Sequence, residues 1–205
     1  MTKETLILAS SSPRRLALLH NIAIYPDQII SPNINEQRLA HEKPEKMALR
    51  LANSKASLVA SNWTKEDIAF ILAADTIVAT KDRIFDKAET LEDAAKYLQF
   101  FSGRRIAVHT AISVIRVKNG IIDKVATKLV TSDIKFKRIN PQEMQNYLKN
   151  GNAIGSAGGF SIQGLGETLV QWISGSYSGI VGLPLTETIN LLRGLGYYGN
   201  SQSKG

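Results

Sequence analysis

Residues 105–137 read RIAVHTAISVIRVKNGIIDKVATKLVTSDIKFK. Two runs rich in β-branched residues, Arg105–Val117 and Ile121–Lys137, flank Lys118-Asn119-Gly120. An Asn-Gly pair between such runs is a strong hairpin signal, because a tight turn there needs positive φ, which Asn and Gly tolerate. A long hairpin brings antiparallel neighbours into whatever sheet it joins. Around it, strand and helix patterns alternate, which favours parallel pairing. Together they predict an α/β fold with a mixed sheet flanked by helices.

Working outward, Ile68–Ala79 reads as a central strand, apolar on both faces as in a buried sheet. Thr90 caps a helix with Glu92 and Asp93 in its first turn, closed by Gly103. Pro44–Ala60 carries Ala48, Leu51, Ala52 and Val59 at helical spacing. Thr5–Ala9 is a short apolar strand, Ser12-Pro13 opens a helix to His20, and Ile24–Pro32 reads as extended. On the other side, Asn140-Pro-Gln-Glu143 starts a helix that stops near Gly151. A glycine-rich segment follows, then a strand at Thr168–Ile173 and a last helix from about Pro184 to Gly194. Residues 1–196 are expected to be one domain, and residues 197–205 a flexible tail.

At 205 residues the chain is long enough for one sizeable core or two small lobes. Cysteine is absent, which excludes disulfides, thiolate nucleophiles and zinc–sulfur sites and suits a reducing cytoplasm. No apolar run approaches a bilayer span and the N-terminus is not a signal peptide, so a cytoplasmic protein with no membrane partner is expected. The net charge of +7 favours anionic partners in general. The basic residues are dispersed, however, so no specific nucleic acid is expected, and a solvated basic surface accounts for the charge equally well.

Four places could carry chemistry. In Leu8-Ala-Ser-Ser-Ser-Pro-Arg-Arg15, two arginines occupy the first turn of a helix, where free N–H groups and the macrodipole are already positive. Either both side chains extend into water, or an anion sits among them, Ser10 and the backbone amides. In Ala73-Ala-Asp-Thr-Ile-Val-Ala79, a strand aspartate is costly unless paired or bound to metal. Strand alternation puts Asp75 on the face opposite Thr76; metal binding, general-base catalysis and capping past the strand end all remain open to it. Lys55 falls on the apolar stripe of its helix and either snorkels out or emerges into a cleft. Lys87 lies in a turn. The segment Gly151–Gly166 holds six glycines, permitting close backbone approach to a ligand, with Gln163 able to read a base edge. Its spacing is neither a P-loop nor a dinucleotide fingerprint, and Gly175-Ser-Tyr-Ser-Gly179 is not a nucleophile elbow, having Tyr177 at its centre. His20, His41 and His109 show no ligand spacing, so any metal would be a hard, oxygen-bound one.

In order and spacing, LASSSPRR, RLANSKA, AADTIVA, DKAETLEDAAKYL, SGRR, SAGGFSIQG and GSYSGIVGLPL resemble the Maf family of nucleoside triphosphate pyrophosphatases, from about Leu6 to Leu192. The resemblance implies a long mixed sheet with flanking helices and two lobes around a nucleotide cleft, as in the inosine triphosphate pyrophosphatase superfamily. It implies hydrolysis of the α–β phosphoanhydride to a nucleoside monophosphate and pyrophosphate, in a house-cleaning role and with a link to division arrest. It assigns the proton acceptor to Asp75, the phosphate and metal surroundings to Ser10, Arg15, Glu36, Lys55 and Lys87, and base selection to Arg14, Thr76 and Gln163. The wording is closer to the dTTP/UTP branch than to the 7-methyl-GTP branch. Mg2+ or Mn2+, held by Glu36 and Asp75, is the implied cofactor, and a homodimer is carried as an expectation. Four positions depart from the family pattern: Ala88 stands for proline, Asn35 for an acid, Ile106 for a histidine and Gly179 for asparagine. The alternatives are a modified-purine triphosphate as substrate, or a non-catalytic regulator of division that binds nucleotide or nucleic acid.

Overall fold

The structure, a computed structural model, describes residues 4–81 and 83–199. In chain order the elements are β1 (Glu4–Leu8), α1 (Pro13–His20), β2 (Gln28–Ile29), α2 (Pro44–Ser61), β3 (Ile68–Ala79), β4 (Ile84–Phe85) and α3 (Leu91–Phe101). Then come β5 (Arg105–Lys118), β6 (Ile121–Phe136), α4 (Pro141–Asn150), a 3-10 turn (Gly164–Leu169), β7 (Val170–Ser174), α5 (Tyr177–Val181) and α6 (Leu185–Gly194). Among the described residues the strands form one mixed sheet in the order β2-β1-β3-β5-β6-β7, with β4 added on β3. The β5–β6 hairpin turns at Asn119 and Gly120, both at positive φ (51° and 75°) as the sequence requires. β1 runs parallel to β3, and β5 antiparallel to it over the whole length of β3.

Local chemistry fixes most helix ends. Thr90 Oγ1 accepts the Asp93 amide at 3.1 Å. Asn140 and Glu143 close a full capping box, side chain to backbone in both directions. α2 lays small residues, Ala48, Ala52, Ala56 and Ala60, against β3 and β5, all of them buried. A separate apolar group gathers Phe85, Leu98, Phe101, Phe136 and Tyr147 around α3 and α4.

Several expected boundaries move. The extended segment 24–32 shrinks to Gln28–Ile29, because the chain leaving α1 turns at Ala23 (φ 57°) and passes Pro26, which has no amide to donate. The strand expected from Thr168 starts at Val170, since the preceding glycine-rich stretch winds into the 3-10 turn. A side chain at Gly166 would strike the Ser161 carbonyl there. α5 was not expected; Ser176 Oγ caps it by accepting the Gly179 amide at 3.0 Å. Tyr197, placed in the tail by sequence, is buried against Phe70 with ring centres 5.1 Å apart. Gly196 at φ 96° turns the chain back, and the Tyr197 amide reaches the Leu192 carbonyl in a Schellman closure. Residues 200–205 of that tail lie outside the described residues.

Candidate functional site

β1 stops at Leu8, opposite Leu72, and β4 joins β3 only at Val78 and Ala79. Between them, Ala73–Ile77 has, among the described residues, a registered partner on the β5 side alone. This notch in the sheet opens a cleft of about 410 Å3. The residues on its two sides are Asp75, facing α2, and Thr76, facing the opposite way, as strand alternation predicts. Ser10, Arg14, Arg15, Glu36, Lys55, Asp75, Thr76 and Lys87 all line the cleft. Gln163 does not. It is exposed, one residue beyond Ile162, which does line it.

The floor is a chain of charges. Lys55 does not snorkel into solvent: its buried ammonium lies 2.5 Å from Asp75 Oδ1 and 2.7 Å from Glu36 Oε1. Lys87 approaches the other Glu36 oxygen at 3.4 Å. Burial pushes the Glu36 carboxyl up, but the hydrogen bond and charge of Lys55, with Lys87 behind it, outweigh this and hold it below the usual carboxylate range.

Arg15 and Arg14 diverge. Arg15 turns inward, donating from Nε to the Gly182 carbonyl at 2.9 Å, from Nη1 to Ser10 Oγ at 3.1 Å and from Nη2 to Thr76 Oγ1 at 3.4 Å. Burial lowers its pKa; Asp75 opposes the fall and Arg14 adds to it. Thr110 completes the group, donating to the Gly179 carbonyl at 2.8 Å while its Oγ1 lies 3.1 Å from Thr76 Oγ1. Arg14 crosses the cleft to Ser156 Oγ at 3.2 Å. Ser12, chosen as the N-cap of α1, has the extended backbone of a cap but makes no side-chain cap bond. Its amide donates instead to Ser10 Oγ at 3.2 Å, so Ser10 organises this turn.

Across from the charges the wall is carbon. Phe101, Ile106, Val108, Ile134, Phe136 and Phe160 line it. Phe160 stands edge-on to Phe136 at 4.8 Å between ring centres.

The departures acquire local meanings. The Ala88 amide donates to the Ser156 carbonyl at 3.3 Å, a bond proline could not make, and the Gly155 amide returns to the Ala88 carbonyl at 2.9 Å. The lysine turn is thus strapped to the glycine-rich segment. Asn35 Oδ1 accepts the Gln37 amide at 2.9 Å, shaping the turn that carries Glu36. Ile106 joins the apolar wall, and Gly179 leaves room for Ser176, which a side chain would meet at 3.1 Å. Sequence reasoning missed Ser156 and Thr110; both act through partners distant in sequence.

Two carboxylates sharing one ammonium are hard oxygen donors of the kind Mg2+ or Mn2+ accepts. Among the described residues there is no group of three or more His, Cys, Asp or Glu that could hold an ion alone. Glu36 and Asp75 therefore fit such an ion only together with oxygens from a bound ligand. No described helix is long and apolar enough to cross a membrane.

Known proteins resemble this chain in sequence. A nucleoside triphosphate pyrophosphatase of Orientia tsutsugamushi is 45% identical over 192 residues, covering 94% of this chain and 92% of that protein. A dTTP/UTP pyrophosphatase of Caulobacter vibrioides is 43% identical over 192 residues, covering 94% and 96%. Among solved structures, a nucleoside-triphosphatase / dITP/XTP pyrophosphatase of Mycobacterium abscessus aligns over 94% of this chain and 95% of its own, at 14% identity and a TM-score of 0.39. That last likeness is too slight to carry an argument. The family match is not: with residues 5–195 matching the Maf-like proteins, the chain belongs to that family.

Proposed function

We propose that the protein hydrolyses nucleoside triphosphates at the α–β phosphoanhydride, releasing a nucleoside monophosphate and pyrophosphate. The observation that carries this is Asp75, a carboxylate on the cleft floor next to Lys55, with Arg15, Lys87 and the Ser10–Ser12 turn in the same cleft. Phosphoryl transfer needs placed charge more than covalent chemistry. Asp75 takes the proton of the attacking water. Arg15, Lys55 and Lys87 neutralise the pyrophosphate leaving group, with Ser10 and the free amides at the start of α1 around it. Glu36 and Asp75 would hold a divalent cation, which would supply positive charge to the phosphates and Lewis-acid activation of water. Lys55, which already sits between these two carboxylates, would share them with such a cation.

The substrates we favour are dTTP, UTP or modified pyrimidine triphosphates. The names of the Orientia and Caulobacter relatives support the reaction, and the Caulobacter one the bases. The apolar wall of Ile106, Val108, Phe136 and Phe160 suits a base plane. Arg14 stands at its rim, and Gln163 reaches it only by turning in over Ile162. The setting we propose is cytoplasmic, and the oligomeric state we carry is the homodimer. The test is pyrophosphate release from a panel of dTTP, UTP, modified pyrimidine triphosphates and 7-methyl-GTP, with and without Mg2+ or Mn2+. Turnover of the pyrimidines is expected. Preference for 7-methyl-GTP overturns the substrate reading, and no turnover of any nucleotide favours a non-catalytic binder.

A further inference from the structure

Glu36 is delivered by a segment with little apolar hold of its own. Between β2 and α2 the chain has no helix or strand, and nearly every side chain from Ser31 to Lys43 is exposed or only partly covered. Leu39 is 56% exposed, and Ile34 alone among these residues packs on the buried group formed by Met47, Ala48, Leu51 and Ile77. A loop this long without structure of its own is uncommon unless it serves the site. Something polar must hold it where Glu36 can reach Lys55.

Arg50, on α2, supplies that hold. Its Nε donates to Glu42 Oε1 at 2.7 Å and its Nη2 to Glu42 Oε2 at 2.8 Å, a two-pronged pair. The same Nη2 donates to the Gln37 carbonyl at 3.0 Å, one residue from Glu36. Glu42 in turn accepts the Leu39 amide at 3.1 Å on Oε2 and Arg38 Nε at 2.9 Å on its carbonyl. The Glu42 side chain is 8% exposed, so its charge is held within the clasp. Arg50 and Lys55 lie on one helix, about 7.5 Å apart along its axis. One rigid rod thus carries both the clasp on Gln37 and the ammonium that Glu36 must meet.

We propose that Arg50 is a positioning residue of the site: its guanidinium, closed on Glu42 and the Gln37 carbonyl, fixes the 31–43 segment so that Glu36 meets Lys55. Lysine cannot replace it, because a point charge cannot grip a carboxylate with two prongs and a carbonyl at once. Insofar as its effect is read from turnover, the proposal rests on the pyrophosphatase reading above.

Arg50→Lys keeps the charge and removes the fork. It should lower kcat/KM for the best nucleotide about 10-fold or more, as loss of an outer support does at other charged sites. In a Glu36→Gln background the same change should cost less than about 2-fold, the non-additivity expected of a residue acting through Glu36. Amide hydrogen exchange should quicken across residues 31–43 and stay unchanged in β3. Glu42→Ala, which opens the clasp from the loop side, should reproduce this pattern if Arg50→Lys folds poorly. An equal loss in both backgrounds, or unchanged exchange in 31–43, overturns the proposal. If the wild-type chain turns over no nucleotide, the pyrophosphatase reading fails by itself, and the exchange experiment still decides the clasp.

Discussion

On the α2 side of the cleft, Glu36, Lys55 and Asp75 are held by ion pairs, each depending on the next. Across from them, Ile106, Val108, Ile134, Phe136 and Phe160 offer only carbon surface, fixed by aromatic packing. A charged wall is unforgiving: removing one member leaves its neighbour buried and unpaired. An apolar wall is graded, because a lost side chain costs area and a cavity but strands no charge. On the function proposed above, the two halves divide the work, one fixing where the phosphates react and the other how tightly a base is held.

Asp75→Asn gives the strongest test of that division. It keeps the shape and removes the proposed proton acceptor, so turnover should fall by about 10²–10⁴, the usual weight of a general base. Nucleotide affinity by calorimetry should change little; near-normal turnover would remove Asp75 from the chemistry. Lys55→Met comes next. It leaves Asp75 in a buried position without its ammonium, and should cost about 3 kcal/mol of stability. At this chain length that is a fall in Tm of roughly 6–12 °C, readable by thermal melting. An unchanged Tm would mean that Asp75 is not buried against Lys55 in solution.

The apolar wall should answer differently. Phe160→Ala should raise KM for nucleotide by about 10-fold, corresponding to roughly 1.4 kcal/mol of lost contact, with kcat nearly kept. A fall in kcat without a change in KM would break the comparison, by showing that this wall also shapes the transition state.

The smallest effect concerns His109, buried on the α2 face of β5 behind the charged wall. Its Nδ1 lies 3.0 Å from Thr131 Oγ1, and Glu45 is 4.0 Å from Nε2. Burial lowers its pKa, against the opposing pull of Glu45 and Asp133. The unfolded chain therefore binds this proton at higher pH than the native one, so native stability drops as pH falls through about 6.5. The drop levels off below the folded value. His109→Asn should flatten that part of the stability profile in denaturant titrations, and an unchanged slope would assign it to other groups.

Much of this was legible from the chain itself. Caps at Thr90 and Asn140 and the Asn119-Gly120 turn are written within four residues and fold as written. The alternation that separates Asp75 from Thr76 is equally local. Other features depend on contacts no window contains. Arg14 meets Ser156 across 142 residues and Arg15 meets Gly182 across 167, so the two arginines look alike in sequence and differ wholly in place. Arg50 reads as an ordinary helix-surface residue until Glu42 and Gln37 are seen beside it. Lys55 and Tyr197 show the same limit: burial, which decides their roles, is a property of the assembled sheet.

The notch beside β3 has one more consequence. β3 is apolar along both faces, from Ile68 through Ala74, so hydrophobicity does little to forbid a slip of one residue against β5. Such a slip would keep the strand greasy and swap the sides of Asp75 and Thr76. It would also move Asp75 to the side of Arg15, Thr110 and Ser10 and leave Lys55 facing a threonine. Lys55 therefore marks the register of the sheet: only the native pairing of β3 sets Asp75 against its buried ammonium.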